Sequence, residues 1–297
     1  MSRVVFTDFS GIEKLNSEML QTRTIFSIHT PACLEGPDFD LPEWGMVLDG
    51  SPVQFHLKLS QQPSGWDGSI DVLFSSLEPA DSAGEFLVNL MLDVASLKFA
   101  TPFQFVRQAD SFLSASGNWV SSGSAVILPE DLVQSWKIAF LFSPLEPILL
   151  RSIGWYRRGI SSADPMLSFL GLWNSLEIAA STFCEKNEKT KRGIRNQLFQ
   201  LMHDHLRKVG IQFFKPDTTE MDEWIDQNYK IRLDIAHGLG STDIQTSRRI
   251  SNAIPKLRRI ATGLLRILCD DRLKNNERIV DVLNRADSLA AERRQEK

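Results

Sequence analysis

The spacing of apolar residues changes once along this 297-residue chain, and that change restricts the possible folds more than any other feature. Before Ser143, short runs alternate between apolar and polar residues, which is typical of half-buried strands. After Ser143, apolar residues recur every three or four positions, which is typical of amphipathic helices. The sequence therefore predicts an α+β N-terminal domain over residues 1–142 and an all-α C-terminal helical bundle over residues 143–297.

The first half carries signals for four strands, one long helix and one loop. Alternation predicts strands over residues 24–28, 53–59, 70–74 and 103–106. Between the last two, apolar residues along one helix face predict a helix over 84–98. A run of turn-forming residues predicts a loop over 114–123. We identify no group of catalytic residues in this half.

Residues that start and stop helices divide the second half. Ser143, Pro144 and Glu146 form a capping-box pattern, which predicts a helix from Ser143 to Arg158 that Gly159 ends. Further helices are predicted over residues 165–184, 191–208, 219–236 and 246–270, and a charged helix is expected to close the chain.

A helix start, a helix stop and a kink or restart are each predicted from one or two residues. Asp164 and Pro165 repeat the start signal. Gly238 is expected to stop the helix over 219–236. Pro255 is expected to kink or restart the helix over 246–270.

Charge is distributed unevenly between the two halves. Residues 1–150 contain 7 Lys/Arg and 18 Asp/Glu, a net charge of −11. The other residues contain 26 of the 33 Lys/Arg and 19 of the 37 Asp/Glu, a net charge of +7. This asymmetry indicates either a face for an anionic partner or attraction between the two halves, and charge alone does not separate the two.

The remaining sequence features indicate a cytoplasmic protein without a membrane segment. The N-terminus has no signal-peptide pattern, and the apolar window 138–150 is too short and too interrupted to span a bilayer. Cys33, Cys184 and Cys269 are widely spaced and form no C-x-x-C pair, so we expect reduced thiols and not a disulfide framework or a zinc ribbon.

The chemistry most worth testing involves Arg232 and His237, five residues apart near a predicted helix end. An imidazole can take or give a proton near neutral pH, and a guanidinium can stabilise charge on phosphate oxygens. RNA supplies its own nucleophile, the 2′-hydroxyl, so this pair could cleave a phosphodiester without metal. Asp234, three residues before His237, could orient the imidazole ring.

Helix geometry sets a condition on this pair. Five residues rotate a helix by about 140°, so Arg232 and His237 share one site only if the helix frays or a two-fold dimer brings two helices together. The alternative without a functional site is that His237 is a residue at the helix end and Arg232 is a surface residue paired with an acid such as Asp226. Arg23 and His29 have a similar spacing in strand-like sequence, where we interpret it as chance.

The second half resembles the HEPN superfamily, and most closely its Apea-like branch. Arg232 and His237 match the R-x4-6-H motif of that family, and the run from Tyr156 to Glu177 is similar to its opening helices. The same run is also similar to methylamine utilization proteins of the MauJ type. The resemblance covers about residues 150–269.

This resemblance implies a homodimeric, metal-independent endoribonuclease without a cofactor, in which Arg232 and His237 of both protomers form one composite catalytic site. The family often has Asn, Asp or His directly after the Arg, whereas this chain has Leu233. Many HEPN domains are non-catalytic. Two alternatives therefore stay open: a binding or adaptor protein, as in methylamine utilization, and a ligand sensor.

Several other residues are candidates for RNA contact or for the site. Lys191, Arg192 and Arg195 could contact phosphates, although charge runs are usually solvated faces. Glu177 could be a buried acid paired with Arg232 or a boundary residue in contact with water. His203 and His205 lie about 200° apart on a helix, which disfavours a shared metal ion.

Overall fold

The computed structural model describes residues 20–31, 33–34, 39–48, 51–62, 65–74, 80–107, 126–206, 214, 218–238 and 244–281. The chain divides into two compact units. The first, here called the sheet unit, comprises Met1–Ala95, Thr101–Glu146 and Arg272–Lys297. The second, the helical unit, comprises Ser96–Ala100 and Pro147–Asp271. The first part of the chain is α+β and the later part is helical.

The sheet unit is built on five antiparallel strands in the order β3-β4-β5-β1-β6. Their bounds are Leu20–His29 (β1), Phe39–Leu48 (β3), Ser51–Gln62 (β4), Gly65–Phe74 (β5) and Gln104–Arg107 (β6). Two short strands, Cys33–Leu34 (β2) and Val126–Ile127 (β7), form a separate parallel pair. Each of the four predicted strands falls within one of these elements or overlaps it closely.

Alternation on the central strands produces the buried face of the sheet. Phe26 and Ile28 of β1, Leu57 and Leu59 of β4, and Ile70 of β5 are all at most 2% exposed. Because side chains alternate across a strand, polar neighbours such as Ser27 and Lys58 lie on the other face. The period-2 pattern therefore located the strands that supply the core. The predicted loop 114–123 lies outside the described residues.

Two helices belong wholly or largely to this part of the chain. Helix α1 spans Ala80–Phe99, which contains the predicted helix, and α2 spans Pro129–Leu145. At the start of α2, the backbone N–H of Leu128 donates to the Asp131 carboxylate at 3.1 Å.

The predicted helix start at Ser143 is wrong. The backbone N–H of Glu146 still donates to the Phe142 carbonyl at 2.8 Å, so α2 runs through Ser143 and Pro144 before it ends. Pro144 has no backbone N–H, so within this last turn it donates no helical hydrogen bond to the carbonyl four residues before it. The next helix begins at Pro147.

The helical unit contains five long helices among its described residues. They are α3 (Pro147–Ser161), α4 (Pro165–Phe183), α5 (Ile194–Leu206), α6 (Thr218–Ala236) and α7 (Ile244–Asn275). A 3-10 turn, Thr190–Arg192, precedes α5. The described residues of this unit contain no strand, as the loss of alternation after Ser143 predicts. The described segment 277–281 after α7 is helical, and the rest of the predicted closing helix lies outside the described residues.

Gly159 does not end α3, contrary to the prediction, because the helix continues to Ser161. Gly159 instead lies where α3 contacts α4. A Cβ on Gly171 would lie 2.5 Å from the Gly159 Cα, and a Cβ on Gly159 would lie 2.7 Å from the Leu172 backbone nitrogen. Only glycine at both positions permits this approach of the two backbones.

The other helix boundaries are explained by local chemistry. The Asp164 carboxylate accepts hydrogen bonds from the backbone N–H groups of Met166 and Leu167 at 2.7 and 3.2 Å, which confirms it as the cap of α4. Helix α7 runs through Pro255 without a restart, and the kink that was the other predicted outcome stays a prediction. Pro255 is exposed, so the carbonyl that loses its partner can bind water.

Two further sets of contacts join the helices of this unit. The Tyr156 hydroxyl of α3 and the Thr262 hydroxyl of α7 share a hydrogen bond of 2.7 Å. Arg258 and Arg266 of α7 donate to the backbone carbonyls of Ala100 and Leu97 at 2.6 and 3.0 Å. These carbonyls lie at the C-terminal end of α1, where the last four carbonyls of a helix need donors. Among the described residues, no helix is long and apolar enough to cross a membrane.

Candidate functional site

The candidate site lies in the last turn of α6, where Arg232 and His237 are located. Helix α6 ends at Ala236, as predicted, and Gly238 follows with a φ of +76°. That backbone conformation costs little only for glycine, which explains why the helix stops there. His237 is therefore the residue at which the chain leaves the helix, and it is exposed to solvent.

The backbone of His237 keeps its helical register. Its N–H donates to the Leu233 carbonyl at 2.9 Å, and the Gly238 N–H donates to the Ile235 carbonyl at 3.0 Å. The helix thus does not fray before His237. The rotation of about 140° between Arg232 and His237 therefore remains. A shared site requires either a frayed helix or a two-fold dimer, and within one protomer the helix is not frayed.

Arg232 is held by an acid from another helix. Its Nε lies 3.7 Å from Oε1 of Glu177 on α4. The Arg232 side chain is 35% exposed and the Glu177 side chain is 19% exposed, so the pair sits at the boundary of the core. The predicted partner Asp226 instead forms an ion pair with Arg195. Sequence reasoning had offered both pairings for Arg232, and the structure contains the one with Glu177.

Glu177 is itself fixed by an aromatic residue. The indole N–H of Trp173, one turn earlier on α4, donates to the same Glu177 Oε1 at 2.8 Å. Trp173 is fully buried and stacks against Phe169, with ring centroids 6.1 Å apart. A rigid side chain therefore orients Glu177, and Glu177 in turn holds the Nε edge of Arg232. Within the described residues the terminal Nη groups of Arg232 have no hydrogen-bond partner, which leaves them able to bind an anion.

Asp234 forms an ion pair that the sequence analysis did not predict. Its carboxylate accepts a hydrogen bond of 2.8 Å from Arg249 Nη2, at the start of α7. The same Nη2 also donates to the hydroxyl of Thr246 at 3.1 Å, and Thr246 is buried. Among the described residues, no hydrogen bond joins Asp234 to His237. Asp234 therefore connects the last turn of α6 to the first turn of α7.

The basic candidates lie at the start of α5 and differ in their pairing. Lys191 Nζ contacts the Glu188 carboxylate at 2.5 Å, and both side chains are mostly exposed. Arg195 pairs with Asp226, which joins α5 to α6. Arg192 is exposed, and within the described residues it has no ion pair. These contacts leave the Arg192 charge uncompensated and partly neutralise the other two.

The His203–His205 segment does not form a metal site with its described neighbours. His203 Nδ1 lies 3.3 Å from the Asp204 carboxylate, which also accepts from Gln200 at 2.9 Å. Across the described part of the chain, no three His, Cys, Asp or Glu side chains group closely enough to hold a metal ion.

Sequence reasoning missed two contacts, and only one of them follows from a spacing rule. The Trp173–Glu177 bond joins residues four apart, so the spacing rule for helices could have indicated it. The Asp234–Arg249 pair joins two helices across residues 239–243, and no spacing rule predicts a contact of that kind. Comparison of the chain with models of protein families, with curated proteins and with solved structures finds no match.

Proposed function

We propose that the helical unit is a HEPN-type RNA-binding domain with metal-independent endoribonuclease activity, in which Arg232 and His237 act in a site completed by a second copy of the chain. The observation that carries this proposal is the arrangement at the end of α6. Arg232 is held by Glu177 through its Nε edge, and His237 is exposed on the turn that follows the helix.

The chemistry suits these two side chains. A His237 imidazole removes the proton from an RNA 2′-hydroxyl, whose oxygen attacks the adjacent phosphorus. The bond from phosphorus to the 5′-oxygen breaks, and a protonated imidazole gives that oxygen its proton. The products are a 2′,3′-cyclic phosphate and a 5′-hydroxyl. The Arg232 guanidinium stabilises the charge on the phosphate oxygens during attack.

A homodimer is part of the proposal for a geometric reason. The backbone hydrogen bond from His237 to Leu233 keeps His237, one residue past the end of α6, in helical register with Arg232. Their side chains then diverge by about 140°, so one protomer does not direct both at one phosphate. Two α6 helices related by a two-fold axis would place the Arg232 of each protomer near the His237 of its partner.

The test is RNA cleavage in EDTA by the full chain and by His237→Ala and Arg232→Ala variants. Loss of an acid–base group is expected to reduce the rate by about 10²–10⁴-fold, and loss of the charge-stabilising group by a similar factor. Arg23→Ala and His29→Ala are matched controls, because they change a similarly spaced pair on β1 of the sheet unit. Equal rates for wild type and His237→Ala would exclude His237 from the mechanism.

Leu233 favours a second candidate, a domain that binds RNA or a protein without cleaving it, as an adaptor of the methylamine-utilization kind would. A cleavage-inactive wild type that still binds RNA would support this candidate over the nuclease. A ligand-sensing role has its support in an open cleft of about 380 Å³ in the sheet unit, lined by Pro144, Leu145, Asn276, Glu277 and Arg278.

A further inference from the structure

We infer that the solvent face of α3 is a second RNA-contacting surface and that it selects single-stranded RNA. The face consists of Arg151, Trp155 and Arg158 and is called the α3 arginine face below. The inference deepens the proposed function, because it names the class of RNA that the helical unit recognises. It does not require that Arg232 and His237 cleave.

The three residues share one side of the helix. They are spaced by four and three positions, so at about 100° per residue they lie within an arc of about 60°. Arg151 and Arg158 are exposed and Trp155 is half-buried. The opposite side of α3 is the buried one, with Leu149, Ile153, Tyr156 and Ile160 among its members. The α3 arginine face is therefore directed away from the core of its unit.

The charge of this face is not compensated within its helix. Helix α3 contains three arginines and no acidic residue. Among the described residues, neither Arg151 nor Arg158 has an ion pair, in contrast to Arg195, Arg232 and Arg249.

The acids nearest to α3 in the sequence lie outside it. Glu146 precedes the helix, and Asp164 follows it. The Asp164 carboxylate is occupied by the backbone N–H groups that it caps. The α3 arginine face thus attracts an anionic partner, in agreement with the excess of positive charge in the second half of the chain.

Stacking distinguishes RNA from other anions. The Arg158 guanidinium carbon lies 5.2 Å from the centre of the Trp155 ring, a cation–π distance. The indole and the Arg158 guanidinium therefore lie next to each other, and unpaired bases stack on aromatic rings and on guanidinium planes. Duplex RNA hides its base faces and offers phosphates, 2′-hydroxyl groups and base edges. The geometry thus favours a single strand over a duplex, and over an acidic polypeptide, which has no base to stack.

The test is a binding titration of the full chain, in EDTA, with a fluorescein-labelled 12-nucleotide oligouridylate whose 2′-hydroxyl groups are methylated, so that it keeps a ribose backbone and resists cleavage. Trp155→Ala is expected to weaken binding by about 5- to 150-fold, the range for loss of one stacked base. Arg151→Ala/Arg158→Ala is expected to reduce the slope of log affinity against log salt by about 1.4, since each single-strand phosphate contact contributes about 0.7. Arg158→Lys keeps the charge and is expected to leave that slope unchanged while weakening binding.

Lys274→Ala/Arg278→Ala is the matched control, because it removes two exposed positive charges from other parts of the chain. Equal affinity of wild type, Trp155→Ala and Arg151→Ala/Arg158→Ala for the oligouridylate would overturn the inference. Equal weakening by the control would also overturn it. So would an unlabelled RNA duplex or polyglutamate that competes with the labelled probe as well as the unlabelled oligouridylate does. Tight binding by wild type and by His237→Ala, without any cleavage of ordinary RNA, would remove the nuclease proposal and leave the α3 arginine face intact.

Discussion

Removing the Glu177 side chain tests whether Trp173 and Arg232 depend on it. Glu177 accepts the indole N–H of the fully buried Trp173 at 2.8 Å and lies 3.7 Å from the Arg232 Nε. Glu177→Ala removes both interactions. Glu177→Gln keeps an acceptor oxygen for the indole and removes only the negative charge.

The two contacts differ in what they contribute to stability. A buried donor left without an acceptor costs about 1–3 kcal/mol. An ion pair in which Arg232 is 35% exposed contributes at most about 1 kcal/mol, since water screens it. Glu177→Ala should therefore lower the free energy of unfolding by about 1–4 kcal/mol, and Glu177→Gln by less than about 1 kcal/mol.

The measurement is urea unfolding of the full chain, followed by circular dichroism, for wild type and both variants. Glu188→Ala serves as the control, because its side chain is 87% exposed and, among the described residues, forms an ion pair only with the neighbouring Lys191. It should change the unfolding free energy by less than about 0.5 kcal/mol. If Glu177→Gln is as unstable as Glu177→Ala, the charge pair and not the indole hydrogen bond dominates, and the reasoning fails.

Two further changes probe the α3–α4 and α3–α7 contacts. Gly171→Ala should destabilise the chain by about 1–3 kcal/mol in thermal unfolding, although alanine is the better helix former, because its Cβ would lie 2.5 Å from the Gly159 Cα; a gain in stability would show that the helices separate freely. Tyr156→Phe should cost about 1 kcal/mol at neutral pH through loss of the bond to Thr262. Burial raises the pKa of Tyr156 above its usual value of 10.0, so the folded wild type keeps its proton where the unfolded chain loses it. Wild-type stability should therefore fall as the pH rises past about 10, and its advantage over Tyr156→Phe should narrow there; a constant difference would contradict this assignment.

The sequence located the elements whose side chains alternate cleanly and missed those where another constraint breaks the pattern. Strand β3 was missed because its register shifts between Leu41 and Trp44, around Pro42. Such an irregularity destroys the period of two, and β3 can contain it because it is an edge strand.

Helix α2 was missed for a different reason. Ala139, Phe140, Leu141 and Phe142 are consecutive and all buried, so no polar face marks a helical period. The capping-box residues at Ser143 then resembled a helix start although they lie in the last turn of α2. The same capping-box residues can lie at the start of one helix or in the last turn of another. Only the surrounding backbone hydrogen bonds decide which of the two they mark.

At the candidate site, the residues within α6 were predictable and their partners in α7 were not. Arg232 and His237 follow from spacing within one helix, and Glu177 follows from an acid on an apolar helix face. The Arg249 contact to Asp234 depends on how α7 packs after α6, which is tertiary information. Sequence reasoning therefore assigned Asp234 to His237, its neighbour along the helix.

The contact between Asp234 and Arg249 leads to a prediction that separates two roles for Asp234. If Asp234 clamps α7 to α6, then Asp234→Ala and Arg249→Ala should each lower stability by about 0.2–1 kcal/mol, because the Arg249 side chain is half exposed. The double variant should lose no more than the larger single loss, since both changes break one interaction. RNA cleavage should then fall equally in both single variants, because the clamp holds the turn that carries His237. If cleavage is lost in Asp234→Ala and retained in Arg249→Ala, Asp234 acts on the imidazole directly and the clamp is irrelevant to the site.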